Sequence, residues 1–230
     1  MDDVLTRIPL FRTLPTRELK AVAAACELRR FRKGETIFQE GRPAEAVWVV
    51  TRGWVYLMKG TPDGGLATIF AMTPSEPLCG ISAFDQGTYS ATAVAATDCQ
   101  LITVPANLFA GLLDRYPSFA RQVLLTCCER ICRMAEAISL AQAPVEQRIA
   151  YVLLRLKRSF GNTIPVTHQE LAGMVGARWE TSIRTLSAMK RSGWVASSRG
   201  RITLLAPRKL RTLLSHEPCP PTNGNSAVIR

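Results

Sequence analysis

Three patterns of apolar and polar positions divide the chain. From about Cys26 to Pro105, short apolar runs alternate with glycine-bearing turns. The runs include Val47-Trp48-Val49-Val50, Trp54-Val55-Tyr56-Leu57 and Leu66-Ala67-Thr68-Ile69-Phe70, and the glycines include Gly34, Gly41, Gly53, Gly60 and Gly87. Runs this short, rich in Val, Thr and aromatic residues, predict strands, and Pro62-Asp63-Gly64-Gly65 predicts a hairpin between two of them. Thr88 to Val104 adds two more strands. Many short strands at this spacing predict a closed or double-sheet β domain. The stretch before it, Leu5 to Cys26, reads as helical.

The second pattern has a helical period. From about Ser118 to Ala141, the residues Ala120, Leu124, Cys127, Ile131, Met134, Ile138 and Ala141 recur at alternating steps of four and three. This predicts a long helix with an apolar seam, which either pairs with another helix or packs on its own domain. Pro144 breaks the pattern and predicts a hinge. A further helix is expected from Val145, with Ile149, Val152, Leu153 and Leu156 on one face and Arg148, Arg155, Lys157 and Arg158 on the other, ending at Gly161-Asn162. The last stretch, His216 to Arg230, is rich in Pro, Asn, Ser and Gly and reads as a loose tail.

The third pattern runs from Thr167 to Gly193. Thr167-His168-Gln169-Glu170 is a capping box that opens a short helix carrying Leu171, Ala172 and Met174. Gly176 supplies a tight turn. A second helix is predicted from about Arg178 to Arg191, and Ser192-Gly193 stops it. A short helix, a glycine turn and a longer basic helix form the motif whose second helix lies in a DNA major groove. Trp194 to Leu205 then reads as a hairpin with a basic tip at Arg199-Gly200-Arg201, a wing beside the reading helix. These patterns predict an α+β protein. Its domains are a β domain at 1–115, a dimerisation helix at 116–143, a winged helix-turn-helix at 144–215 and the tail at 216–230.

Charge sharpens the picture. Met1 to Ala143 holds 15 Lys/Arg against 14 Asp/Glu, whereas Pro144 to Arg230 holds 14 against 4, so nearly all of the net +11 sits on the last third. A neutral body with a cationic end points to a polyanionic partner, nucleic acid before an anionic membrane. No run approaches the ~18 apolar residues needed to cross a bilayer. Met1-Asp2-Asp3-Val4 is not a basic-then-apolar leader, and the seven cysteines are an odd count. Both point to the cytoplasm and to reduced thiols. There is no P-loop, G-x-S-x-G or H-E-x-x-H, and the two histidines are His168 and His216. The sequence offers little for an enzyme.

Together these residues resemble the bacterial regulator family typified by the cyclic-AMP receptor protein and the fumarate-nitrate-reduction regulator, the Crp/Fnr type. The resemblance rests on Phe31-Arg32-Lys33-Gly34-Glu35-Thr36-Ile37-Phe38-Gln39-Glu40-Gly41, on Thr167-His168-Gln169-Glu170-Leu171-Ala172 with Val175-Gly176, and on Glu180-Thr181 with Arg184. It spans about Leu10 to Leu205. It implies a jelly-roll sensor of the cyclic-nucleotide-binding type, a homodimer along the long helix with its seam at Leu124, Cys127, Ile131, Met134 and Ile138, a palindromic double-stranded DNA operator, and RNA polymerase as a partner. Base reading would fall to Arg178, Trp179, Glu180 and Arg184. The chemistry agrees, since Arg can bond guanine O6 and N7 and Glu can accept from cytosine N4. The plainer alternative is that Glu180 and Arg184 form only a surface ion pair. Trp179 departs from the family's arginine or valine and suits a sugar or a thymine methyl. His168, Gln169, Thr181, Lys190, Arg191, Arg199 and Arg201 fall to phosphates.

The family's nucleotide-binding branch uses Gly-Glu and Arg-Ser pairs. Here those places read Gly80-Ile81 and Tyr89-Ser90, so cyclic AMP is not expected in that mode. The cysteine spacing also disfavours an iron–sulfur cluster. Cys79 falls near a haem-thiolate position of the family, so a haem ligand stands beside a buried structural thiol. Cys127 is likewise open between redox chemistry and seam packing. An effector, unidentified, would lie among Leu78, Cys79, Gly80, Ile81, Tyr89, Ser90, Arg133 and Met134. A haem- or thiol-based sensor whose winged helix docks protein is the alternative reading.

Overall fold

The structure, a computed structural model, describes residues 2–62, 64–78 and 87–214. It divides into two compact units between Cys127 and Cys128.

In the first unit, the helix expected over Leu5 to Cys26 is broken into α1 (Asp2–Leu5), a 3-10 turn (Pro9–Thr13) and α2 (Thr16–Ala25). Two prolines account for this. Pro9 opens the 3-10 turn and Pro15 caps α2, and a proline disfavours helical backbone at the residue before it. Eight strands follow among the described residues: β1 (Glu27–Phe31), β2 (Thr36–Phe38), β3 (Ala46–Arg52), β4 (Val55–Gly60), β5 (Leu66–Met72), β6 (Pro77–Leu78), β7 (Thr92–Ala95) and β8 (Cys99–Pro105). They form two antiparallel four-stranded sheets, ordered β1-β8-β3-β6 and β2-β7-β4-β5. Among the described residues β1 is an edge strand of the first sheet, and Glu27 to Arg30 are exposed along it.

Alternation along the central strands builds two cores at once. Val50, Cys99 and Leu101 join Phe38, Val55, Leu57, Met72 and Ala93 of the other sheet. Val47, Val49, Ile102 and Val104 pack instead with Leu19 and Val22 of α2, Phe11 of the 3-10 turn, and Phe109 and Leu112 of α3 (Ala106–Arg115). Between β3 and β4 the chain turns at Gly53. Its φ is 74°, and a Cβ there would stand 2.5 Å from the Asp98 carbonyl oxygen, so a side chain is excluded.

Helix α4 (Pro117–Leu140) begins in the first unit, where Phe119 and Gln122 are buried, and continues into the second. Along it Leu124, Ile131, Met134 and Ile138 are exposed, at 65%, 65%, 49% and 71%. Cys127, expected on the same seam, is half-buried, while Cys128 and Ala135 are exposed.

The second unit is built on α5 (Val145–Phe160), in which Ile149 to Leu154 and Leu156 are buried. Burial therefore spreads wider than the single face read from the sequence. Strand β9 (Thr163–Ile164) is an addition to the elements expected from the sequence. It pairs with β11 (Arg201–Leu204), which pairs in turn with β10 (Val195–Ser198) to make a three-stranded wing sheet. Helices α6 (His168–Met174), α7 (Trp179–Arg191) and α8 (Pro207–Arg211) complete the unit. The tail expected over 216–230 lies outside the described residues. Among the described residues, no helix is long and apolar enough to cross a membrane.

Candidate nucleic-acid interface

The capping box forms as its residue types require. The Glu170 N–H donates to Thr167 Oγ1 at 3.2 Å, and the Thr167 N–H donates to Glu170 Oε2 at 2.8 Å. Two N–H groups with no partner inside the helix are thereby satisfied, and the start of α6 is fixed. The chain leaves α6 through Val175 and Gly176, whose φ of 57° is the left-handed conformation a tight turn needs. Helix α7 then packs on α5 and α6, with Ser182, Leu186 and Met189 buried at steps of four and three.

Arg148 clamps this turn, a role the sequence does not reveal. Its Nη1 donates to the Val175 carbonyl at 2.7 Å and to the Gly176 carbonyl at 3.2 Å. Helical period puts Arg148 on the polar face with Arg155 and Lys157, and nothing in the pattern sets it apart. It is half-buried, and its guanidinium holds the two carbonyls that would otherwise end α6 unsatisfied. Arg148→Met keeps most of the aliphatic packing and removes both donors. It is expected to cost about 2 kcal/mol of unfolding stability, the scale of hydrogen bonds to a charged group. Urea denaturation of the variant checks this.

Burying one side of α7 leaves the other free. Arg178, Trp179, Glu180 and Arg184 are exposed, as are Lys190 and Arg191 in the last turn. Among the described residues Glu180 and Arg184 do not pair with each other, so both keep their hydrogen-bonding capacity for a ligand. Trp179 is 44% exposed, and its ring lies 6.5 Å from that of half-buried His168 at the start of α6. Gln169 is exposed and Thr181 half-buried. The wing places Ser198 opposite Arg201, with Arg199 and Arg201 exposed at its tip. A helix with side chains is ~10–12 Å across, and the major groove of B-DNA is ~12 Å wide.

The residues proposed for an effector are distributed differently. Cys79, Gly80 and Ile81 lie outside the described residues, and the haem-ligand reading of Cys79 lies there with them. Leu78 is fully buried. Tyr89 is buried, stacks on Phe38 with ring centroids 4.0 Å apart, donates its hydroxyl to the Ala46 carbonyl at 3.1 Å and accepts from Trp48 Nε1 at 3.1 Å. Ser90 is exposed, and its carbonyl accepts from Lys59 Nζ at 2.9 Å. Lys59 also pairs with Glu40, and that bond together with the Gly60 N–H holds the Glu40 carboxyl below the usual carboxylate range. Arg133 and Met134 belong to the second unit. Burial pushes the Cys26 and Cys99 thiols up to about 11, with the Asp98 and Glu35 carboxylates adding to the effect at Cys99. Neither is poised as a thiolate.

Residues 28–116 match the family described as cyclic nucleotide-binding domain, and residues 147–213 match the Crp-like helix-turn-helix domain. The chain is 30% identical over 203 residues to the global nitrogen regulator of Synechococcus elongatus, covering 83% of this chain and 91% of that one. It is 26% identical over 204 residues to a CRP-like cAMP-activated global transcriptional regulator of Mycobacterium tuberculosis, covering 85% and 91%. The solved structure of FixK2 from Bradyrhizobium japonicum shares the fold, with a TM-score of 0.74 at 20% identity over 83% of this chain and 98% of that one. A β-roll of the cyclic-nucleotide-binding kind, a long helix and a DNA-binding helix-turn-helix thus follow one another here, and with a relative at 30% identity over most of both chains they show that the chain belongs to the Crp/Fnr family of transcription regulators.

Proposed function

We propose that two copies of this chain, joined along α4, bind a palindromic operator, each setting α7 into a major groove about 34 Å from the other. The observation that carries this reading is the pair Glu180 and Arg184, exposed one turn apart on α7 with no ion pair between them. Arg184 forks guanine O6 and N7, and Glu180 accepts from a cytosine N4–H₂. Trp179 has one donor and no acceptor, so it meets a sugar or a thymine methyl, with Arg178 as a nearby cation. His168, Gln169, Thr181, Lys190, Arg191, Arg199 and Arg201 position the duplex through its phosphates. RNA polymerase is the partner through which binding changes transcription.

The β-roll receives a small effector that shifts the population of DNA-competent dimers. The buried, hydrogen-bonded Tyr89 supports an effector other than a cyclic nucleotide held by a guanidinium. A phosphate there would meet a phenol in place of that guanidinium.

Recovery of bound genomic fragments, followed by titration of the enriched duplex, tests the reading. Enrichment of a two-fold sequence supports it, and indifference to every duplex rejects it. The phosphate assignments are checked by salt. Changing Lys190, Arg191, Arg199 or Arg201 singly to Ala should flatten the slope of log affinity against log salt by about 0.9 for each phosphate no longer neutralised, hence about 1.8 per dimer. Sequence preference should not change.

A further inference from the structure

Helices α4 and α5 are joined by the short connection 141–144. Pro144 ends it in extended backbone, with φ of −51° and ψ of 143°, so helical hydrogen bonding does not run on from α4 into α5. The angle between the two helices is left to contacts across them. One such contact is a hydrogen bond of 2.7 Å, in which the Tyr151 hydroxyl of α5 donates to Glu136 Oε2 of α4. Both residues lie in the second unit, Tyr151 buried and Glu136 half-buried. We propose that Tyr151 is a positioning residue for operator recognition. Its bond to Glu136 sets the angle at which α5 leaves α4, and with it the separation of half-sites that the dimer reads. This rests on the operator reading given above.

The bond is built to persist. Burial first, and the Glu136 carboxylate after it, push the Tyr151 phenol up, so it keeps its proton and remains a donor. Arg133 of α4 and Arg155 of α5 act on the phenol in the opposite sense, which puts a cation of each helix beside the bond. A hydrogen bond accepted by a carboxylate is shorter and stronger than one between neutral groups.

A small change of angle has a large effect at the duplex. Helix α7 packs on α5 and turns with it. In a two-fold complex each reading helix stands about 17 Å from the axis, half of the ~34 Å between successive major grooves. Over that arm a change of about 10° shifts α7 by about 3 Å, close to the ~3.4 Å rise of one base pair. Without the bond, the dimer accepts operators one base pair too long or too short.

The test uses the full chain and the duplex enriched in the genomic recovery, remade with its centre lengthened or shortened by one base pair. Wild type should bind the altered duplexes about tenfold or more weaker, because the second reading helix then misses its base edges. Tyr151→Phe keeps the ring in the core and removes the donor. Its loss on the altered duplexes should shrink to about threefold or less, with the best affinity lowered, because the two reading helices are no longer preset. Glu136→Ala leaves the Tyr151 ring in place and should behave alike, whereas Glu136→Gln keeps an acceptor and should retain the wild-type profile. A merely structural role would weaken binding to all the duplexes by the same factor. That outcome, or a Tyr151→Phe profile as narrow as the wild type's, overturns the proposal and leaves operator binding in place. Failure to enrich any duplex overturns both.

Discussion

Arg184→Ala is expected to abolish operator discrimination. One forked contact to guanine carries ~1–3 kcal/mol of preference over a wrong base. A two-fold complex loses it twice, so specific affinity should fall by ~2–6 kcal/mol, roughly 30-fold to 10⁴-fold. Binding to unrelated duplex should barely change, because that term comes from the other cations. Arg184→Lys keeps the charge without the planar fork and should recover only part of the loss. Titrations of cognate and scrambled duplex at one fixed salt concentration measure both quantities. A loss of equal size on both would move Arg184 from base to phosphate.

Phe119→Ala should produce the largest change in stability. Phe119 opens α4 and is fully buried, with ring centroids 5.9 Å from Phe11 and 5.3 Å from Phe109. It therefore ties the 3-10 turn, α3 and the first turn of α4 into the core against β3 and β8. Removing a buried phenyl costs ~3–5 kcal/mol because the site collapses only in part. Calorimetry should find the transition of this unit lowered by roughly 10–20 °C. Phe119→Leu, which keeps most of the volume, should cost less than ~1.5 kcal/mol. A small effect from Phe119→Ala would mean that the three elements are held together by other groups.

The parts of the molecule legible in the sequence are those in which a local pattern decides the structure. Thr167 and Glu170 capping α6, Gly176 turning, and the hairpin of the wing all follow from residue type and spacing. Heptad spacing finds the long helix, and Leu124, Ile131, Met134 and Ile138 of its apolar line are exposed along it. Arg148 stays hidden. Its partners are the backbone carbonyls of Val175 and Gly176, 27 and 28 residues away, and carbonyls carry no sequence signature. The family resemblance puts Tyr89 among the expected effector residues, but its engagement with Trp48 and Ala46 depends on how β3 lies beside it. The interruption at Pro9 and Pro15, by contrast, is written in the chain. Helical period outweighs, in a reading by pattern, two residues that disfavour it.

The edge at β1 bears on how copies of the chain can meet. An unpaired strand invites another to add to it, and repeated addition yields fibres. Centring β1 on an antiparallel mate would put Arg29 against Arg29, with Arg30 next in line on each side, and like charges directly opposed are destabilising. Glu27 already pairs with Arg29 in its own strand and offers little relief. Growth by sheet extension is therefore discouraged at this edge, whereas the two-fold helix pairing proposed above would close on itself and stop.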